Sequence, residues 1–341
     1  MCRVRQAYSR RRTVKTLTAR CVGASTLDAP YMGGNVVFQL TSSPVVAVAS
    51  ATKNQGRSSF LEIDAAAFRD NFDRRPFVIG HHLVEHPLFN LARLVELSRK
   101  LPAEHVEYNA GNLPLSQDPT TTARNGLSIE ETIRRIEECR SWLVLKYVEN
   151  DPEYAALLKQ CLEDVAVHSE RLHPGMCKAQ AFIFITSPNS VTPYHMDPEH
   201  NFLLQIRGRK IAHMFDPRDR SILSEEELEG FYRGRHRNLV FREEHDAKAW
   251  KFDLSSGQGL HFPVTAPHYV KNGPEVSLSF SITFRTPDLD RRVLVHNFNA
   301  SLRRRGWNPR PLGASLWRDS LKCFTSRVGR RLRRLFGKGS P

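Results

Sequence analysis

The chain has 341 residues, of which 40% are hydrophobic, and its formal net charge at pH 7 is +14. This length can bury one sizeable core, and no apolar run approaches the roughly 18 residues that a membrane-spanning helix needs. The six cysteines are scattered without a CxxC pair, which argues against a disulfide framework or a zinc ribbon and favours reduced thiols in the cytoplasm: Cys2, Cys21, Cys139, Cys161, Cys177 and Cys323.

The positive charge is confined to the two ends of the chain. Residues 1–60 contain nine Lys and Arg and only Asp28, a net +8, whereas residues 301–341 contain twelve and only Asp319, a net +11. The stretch between them is therefore mildly acidic, and a chain-wide basic patch for nucleic acid is not supported. We interpret residues 1–60 as a disordered basic tail or as the product of a start codon placed too far upstream, although the composition also resembles a transit peptide.

Residues 61–178 are predicted to be a mostly helical flanking region. A Ser128-x-x-Glu131 capping box predicts the start of one helix. Helices are predicted over 64–72, 87–101, 128–140 and 152–168, and strands over 76–79 and 142–148.

Residues 179–290 are predicted to form an all-β core. Short strand patterns over 179–186, 202–206, 210–215, 250–254, 260–263 and 276–284 are separated by Gly, Pro and Ser turns. Many short strands with such punctuation indicate a double-sheet jelly roll, and with the helices before it the fold class is α+β overall.

A candidate metal site lies within this core. His195-x-Asp197 and the distant His268 are two imidazoles and one carboxylate, the ligand set of a mononuclear non-haem iron centre with open positions. The His-x-acid spacing alone is weak, because His105-x-Glu107 and His168-x-Glu170 also have it. The surrounding strands give it weight, since three ligands on different strands of a roll can converge at one end.

Residues 192–217, TPYHMDPEHNFLLQIRGRKIAHMFDP, resemble the core of JmjC-type, cupin-like Fe(II)/2-oxoglutarate-dependent dioxygenases, especially the asparaginyl-hydroxylase-like branch and bacterial cupin-like proteins. The resemblance covers about residues 180–285. The matching elements are Thr192-Pro193-x-His195-x-Asp197, Asn201-Phe202, Gln205-Ile206, Gly208, Lys210, Gly259-x-x-Phe262-Pro263 and His268-x-Val270-x-Asn272.

The resemblance implies His195, Asp197 and His268 as iron ligands, and Lys210 as the partner of the distal carboxylate of 2-oxoglutarate, assisted by the Thr192 hydroxyl. A dicarboxylate that enters a largely apolar barrel needs a buried counter-charge, which a strand lysine can supply.

Two further co-substrate contacts are implied by the same resemblance. Asn201 would be a polar contact near the co-substrate. Ser281 would stand on the last strand where the asparaginyl-hydroxylase branch carries a carboxamide, so the co-substrate geometry there is expected to differ.

Beyond the core, residues 291–341 are predicted to be a basic amphipathic helical tail, with a hinge at Pro309 and Pro311. Apolar residues recur there at three- and four-residue steps with Arg and Lys between them: Trp317, Leu321, Phe324, Val328, Leu332 and Leu335. Packing as a homodimer helix, contact with a membrane surface and contact with nucleic acid all remain open for this tail.

The sequence thus predicts a cytoplasmic Fe(II)- and 2-oxoglutarate-dependent dioxygenase that hydroxylates, or demethylates, an unknown substrate. A protein side chain, a small metabolite and a modified nucleotide all remain open. Two alternatives are a cupin-like metal- or metabolite-sensing regulatory protein without turnover, and a metal isomerase or sugar-modifying enzyme. The latter would not need Lys210.

Overall fold

The computed structural model describes residues 59–336, apart from the side chains of residues 119, 330 and 332–336. All but the last two residues of the predicted tail, 1–60, therefore lie outside the described residues. The described chain contains the strands β1 Leu61–Glu62, β2 Phe77–His81, β3 Val106–Ala110, β4 Ser141–Lys146, β5 Cys177–Thr186, β6 Val191–His195, β7 His200–Arg207, β8 Lys210–Met214, β9 Trp250–Leu254, β10 Gln258–Phe262, β11 His268–Asn272 and β12 Ser277–Arg285. Its α-helices are α1 Ala65–Asn71, α2 Leu91–Lys100, α3 Ile129–Arg134, α4 Pro152–Ser169, α5 Glu225–Tyr232, α6 Pro287–Arg303 and α7 Leu316–Phe336.

The strands form two antiparallel sheets that face each other. One has the order β1-β2-β10-β7-β12-β5-β4-β3, and the other has the order β6-β11-β8-β9. From β5 onward, four strands belong to each sheet, which is the arrangement of a jelly roll. The predicted fold class, an all-β core with flanking helices, is confirmed. The segment 61–178 also adds four strands, β1 to β4, to the two ends of the large sheet.

The alternation in β12 separates two kinds of interior. Its apolar residues, Leu278, Phe280, Ile282 and Phe284, belong to the main hydrophobic core together with Phe68 of α1 and several residues of α4. Its polar residues alternate with these and point into the space between the sheets, where Ser281 and Thr283 line a cavity. Every residue of β12 is buried. A polar strand face that is buried in this way marks the inside of the roll.

Several predicted elements have different bounds in the structure, and for three of them the local conformation shows the reason. The helix predicted over 87–101 is divided into a 3-10 helix, Pro87–Phe89, and α2, because the Asn90 side chain caps α2 by accepting from the Arg93 amide at 2.8 Å. The Ser128 capping box is confirmed, but α3 ends at Arg134, and the chain then turns into β4. β4 ends at Lys146 because Tyr147 takes a left-handed conformation, with φ of 54°.

The bend between β7 and β8 carries the chain from one sheet to the other instead of closing a hairpin. β7 pairs with β10 and β12 in the large sheet, whereas β8 pairs with β9 and β11 in the small one. Gly208 at this bend has φ of +74°, and a Cβ there would collide with the carbonyl oxygen of Val276. Glycine is therefore required at this position by both conformation and space.

We expect Gly208→Ala to lower the free energy of unfolding by about 3 kcal/mol or more, because left-handed strain and overpacking against backbone add. Gly257→Ala is the matched control. Gly257 also has positive φ, +87°, but the nearest atom to its Cβ position is 3.8 Å away. The control should lose only the strain, about 1 kcal/mol. Urea unfolding of both variants measures the difference, and equal losses would contradict the close approach.

The segment between β8 and β9, for which the sequence predicted no element, contains α5. Its start has the same signature as α3: Ser224 and Glu227 form a reciprocal capping box. Further on, α6 crosses the predicted boundary at residue 290, and α7 follows it. Within residues 59–336, no helix is both long and apolar enough to cross a membrane.

Candidate metal and co-substrate site

The structure brings His195, Asp197 and His268 together at one end of the roll. His195 ends β6 and His268 begins β11, and the two residues are paired directly across these strands. Asp197 lies two residues beyond His195 in the loop that follows β6. Its Oδ2 atom is 3.7 Å from Nε2 of each histidine, and the three donor atoms lie within 4.8 Å of one another. In the described part of the chain, this is the one such group of potential metal ligands.

Backbone carbonyls fix the orientation of both imidazoles. Nδ1 of His195 is 2.7 Å from the Pro193 carbonyl oxygen, and Nδ1 of His268 is 2.9 Å from the Ala266 carbonyl oxygen. A carbonyl can only accept, so each Nδ1 must be the N–H, which leaves the lone pair of Nε2 directed at the carboxylate. Burial lowers the pKa of both histidines, that of His195 well below its usual value. Neutral imidazoles with free Nε2 atoms are what a metal ion requires.

Arg237 fixes Asp197, the third candidate ligand, through the carboxylate oxygen that does not face the histidines. Its guanidinium donates a hydrogen bond to Oδ1 of Asp197, and the Oδ2 atom that faces the histidines remains available. Both side chains are largely buried, with 13% and 17% of their surfaces exposed. The backbone of Asp197 is also held in place, because its main-chain carbonyl accepts a hydrogen bond from the Thr265 amide at 2.8 Å. The carboxylate is thus fixed in position, and it keeps one oxygen for an ion.

Lys210 reaches across the roll from the small sheet to the large one. It is 4% exposed, and its Nζ donates to the Ser279 hydroxyl at 2.6 Å. Ser279 in turn donates to Oε1 of Gln205 at 2.7 Å. Among the described residues, no carboxylate lies within ion-pair distance of this ammonium. Burial lowers the pKa of Lys210 to about 7, so near neutral pH the amine is divided between its charged and neutral forms, and a bound anion would favour the charged form.

Thr192, Asn201 and Ser281 line the same cavity as Lys210 and the three candidate ligands. The Ser281 hydroxyl donates to Oδ1 of Asn201 at 2.8 Å, so these two residues contact each other. Thr192 lies on β6 opposite Val270 of β11. All seven residues that the sequence singled out therefore line one space, and their individual roles remain predictions.

The cavity spans about 1130 Å³, including its opening to solvent. Beyond the predicted residues, aromatic side chains line it: Phe182 and Phe184 of β5, Phe231 of α5 and Tyr147. The alternation in β5 could have indicated the two phenylalanines, since they are paired with Ser281 and Ser279 of β12. No sequence signal pointed to Arg237, which follows an unassigned segment, or to Ser279 as the neighbour of Lys210.

Two other histidines of the roll pack against aromatic rings. His261 is fully buried outside the cavity, where its ring contacts Phe72, Phe77 and Phe202. His213 stacks on Tyr269. The competing His-x-Glu pairs at 105–107 and 168–170 belong to no group of potential metal ligands in the described chain. Glu107 instead pairs with Lys146 at 2.7 Å.

Comparison with known proteins places the chain in a family. The model of the cupin-like domain matches residues 72–299. A curated relative, JmjC domain-containing protein D of Dictyostelium discoideum, is 33% identical over 233 residues, which are 61% of this chain and 50% of the relative. The chain thus spans about half the length of this relative.

Solved structures of Escherichia coli YcfD are also similar to the chain. One covers 79% of this chain and 68% of its own, with a TM-score of 0.47 and 17% identity. A second, described as a ribosomal oxygenase in complex with cobalt and 2-oxoglutarate, covers 80% and 68%, with a TM-score of 0.43 and 15% identity. Because the family model matches well over half of the sequence, including both strands that carry the histidine pair, the chain belongs to the cupin-like domain family.

Proposed function

We propose that this protein is an Fe(II)- and 2-oxoglutarate-dependent oxygenase that hydroxylates or demethylates its substrate. The observation that carries the proposal is the combination of two sites in one cavity. A two-histidine, one-carboxylate group suited to Fe(II) lies at the end of the roll. The buried Lys210 amine, which has no carboxylate within ion-pair distance among residues 59–336, lines the same cavity. The second feature favours a dicarboxylate co-substrate over a metal isomerase, which would not need the lysine.

The donor set fits a ferrous ion. His195, His268 and Asp197 would hold it on one face, since each offers a single free donor atom toward the others. When bound, iron together with 2-oxoglutarate would supply oxidative chemistry, with succinate and carbon dioxide as co-products.

The chain's own residues would prepare the cavity for that chemistry. Lys210 would bind the distal carboxylate of 2-oxoglutarate through a charge-assisted hydrogen bond, while Ser279 keeps the ammonium in place. Thr192, Asn201 and Ser281 would give polar contacts along the co-substrate. The aromatic wall of Phe182, Phe184 and Tyr147 would exclude water and receive the substrate.

The test is succinate formation by the full chain with Fe(II), 2-oxoglutarate and fractionated cell extracts, followed by the mass of the product. Succinate above the background of an Asp197→Ala variant, together with a product heavier by one oxygen atom, would support hydroxylation. Loss of a methyl group would support demethylation. Stoichiometric binding of Fe(II) and 2-oxoglutarate without succinate in any fraction would instead favour the metabolite-sensing alternative.

Arg237 provides a separate prediction. Replacement of Arg237 by leucine removes the donor to Oδ1 of Asp197, so the carboxylate loses its fixed orientation. We expect the affinity for Fe(II) to fall by about 10- to 100-fold, as is usual for partners of metal ligands. Competition with a fluorescent chelator measures this affinity. Arg235→Leu, on the same cavity wall but without a bond to Asp197, is the control. Equal losses in both variants would contradict a positioning role for Arg237.

A further inference from the structure

The last described helix, α7, presents an apolar stripe to solvent. Trp317, Leu321, Phe324 and Val328 are 65%, 54%, 65% and 38% exposed. They recur at steps of four, three and four residues, so at about 100° per residue they fall within an arc of roughly 60°. The predicted members Leu332 and Leu335 lie outside the described side chains. Contiguous exposed apolar surface of this kind marks an interaction site more often than isolated exposed residues do.

The opposite face attaches α7 to the body of the protein. Cys323 packs with Leu294 and Val295 of α6. Lys322 Nζ donates to the Arg310 carbonyl at 2.9 Å, and the buried Asp319 accepts from the Gly313 amide at 2.8 Å. These contacts orient the helix, so the stripe is not the face that holds α7 on its own chain. The stripe is therefore left open for a binding partner outside the described chain.

Arginines flank the stripe on both sides. Arg318 lies about 100° from Trp317 around the helix in one direction, and Arg327 lies about 80° from it in the other. Both are exposed, and so is Arg331 further along. The one acidic residue in the segment 301–341, Asp319, is buried, so it cannot offset this charge at the surface. The outer face therefore combines an apolar centre with cationic edges.

We propose that α7 binds the surface of an anionic lipid bilayer and lies in its plane. The stripe would enter the boundary between headgroups and acyl chains, and the flanking arginines would contact lipid phosphates and carboxylates. An anionic bilayer matches this face in both respects. Its acyl chains can take up the apolar stripe, and its charged headgroups can pair with the arginines on either side.

Two other occupants match less of this surface. Two copies of α7 facing each other would bring like-charged arginines together at the edges. Four side chains also offer well under the roughly 800 Å² per partner of a standard interface. Nucleic acid would bind the arginines through its phosphates but would leave the apolar stripe in water.

The experiment is co-sedimentation of the full chain with vesicles of phosphatidylcholine, with or without phosphatidylserine at a ratio of about 7:3. We expect binding to the anionic vesicles that weakens as salt is raised. Trp317→Ser with Phe324→Ser should weaken it more than about tenfold, and Arg318→Gln with Arg327→Gln should do the same. All four residues are exposed, so circular dichroism should show an unchanged fold.

Matched controls are available elsewhere on the surface. Val167→Ser with Val240→Ser removes two exposed apolar residues, and Arg124→Gln with Arg171→Gln removes two exposed charges, each outside α7. Both controls should bind as the natural chain does.

Three results would overturn the proposal. The first is equal binding to neutral vesicles, or binding that the Trp317/Phe324 variant retains. The second is absent vesicle binding together with a dimer that this variant dissociates, which would assign the stripe to a second copy. The third is absent vesicle binding together with retention on duplex nucleic acid that only the arginine variant loses.

Discussion

Replacing His268 with alanine should abolish both Fe(II) binding and 2-oxoglutarate consumption. The imidazole supplies one of the three donor atoms that converge at the end of the roll, and no other described histidine is placed to substitute for it. The loss should exceed the roughly 100-fold that removal of an outer-shell partner costs. Iron binding by chelator competition and succinate formation measure the two effects. His195→Ala and Asp197→Ala should behave in the same way.

Folding must be separated from metal binding in these variants. His82→Ala serves as the control, because the His82 side chain is exposed and pairs with Glu62 at the surface, at 2.8 Å. It should keep full iron affinity. The unfolding midpoints of the metal-free variants should lie close to that of the natural chain. Tight Fe(II) binding by folded His268→Ala would contradict the assignment of this residue as a ligand.

Replacing Lys210 with methionine should raise the concentration of 2-oxoglutarate needed for half-maximal turnover about 30-fold or more, since a lost buried charge contact costs about 2–5 kcal/mol. Iron affinity should be unchanged, because the ammonium contacts Ser279 and none of the three candidate ligands. Titration of turnover against 2-oxoglutarate, alongside chelator competition, distinguishes the two. Loss of iron instead would mean that Lys210 supports the metal site.

The same change should stabilise the protein. A buried, uncompensated ammonium costs free energy, and an apolar side chain of similar length should recover about 1–4 kcal/mol. The pKa of Lys210 falls from 10.5 to about 7 on folding, so between these values the unfolded chain binds more protons than the folded chain. Stability of the natural chain therefore rises with pH across this range. The advantage of Lys210→Met should be largest below pH 7 and shrink above it, which thermal unfolding at several pH values measures.

Proton uptake gives an independent check on Lys210. Above pH 7 the buried amine is mostly neutral, and a bound dicarboxylate would favour its charged form. Calorimetry of 2-oxoglutarate binding at pH 8 in buffers of different ionisation enthalpy should reveal uptake of up to about one proton. Lys210→Arg should bind without uptake, because a guanidinium stays charged.

Local sequence patterns predicted most strands of the roll, and the family resemblance added seven residues that line the cavity. Alternation identified β5 and β12, and β9 has its predicted bounds. The order in which the strands enter the two sheets could not be predicted in this way. The glycine bend after β7 has the same sequence pattern whether the next strand pairs with β7 or crosses to the other sheet. Tertiary contacts such as that between Gly208 and Val276 determine which of the two paths the chain takes.

The hydrogen-bond partners of Lys210 and Asp197 could not be predicted from the sequence either. Ser279 lies 69 residues from Lys210, and Arg237 lies 40 residues from Asp197, in a stretch without periodicity. In α7, the apolar spacing left three alternatives open for the stripe: packing as a homodimer helix, contact with a membrane surface and contact with nucleic acid. The structure buries the face that carries Asp319 and Lys322, because their side chains satisfy backbone groups of the preceding loop. Residue type alone does not reveal such pairings.

If one cavity holds both ferrous ion and 2-oxoglutarate, anaerobic titration with the two together tests this most directly. We predict a visible absorption band that neither component gives alone, saturating at one Fe(II) per chain. The band should be absent in His195→Ala, and in Lys210→Met it should require much more 2-oxoglutarate. A natural chain that gives no band, or a His195→Ala variant that gives the same band, would contradict the claim.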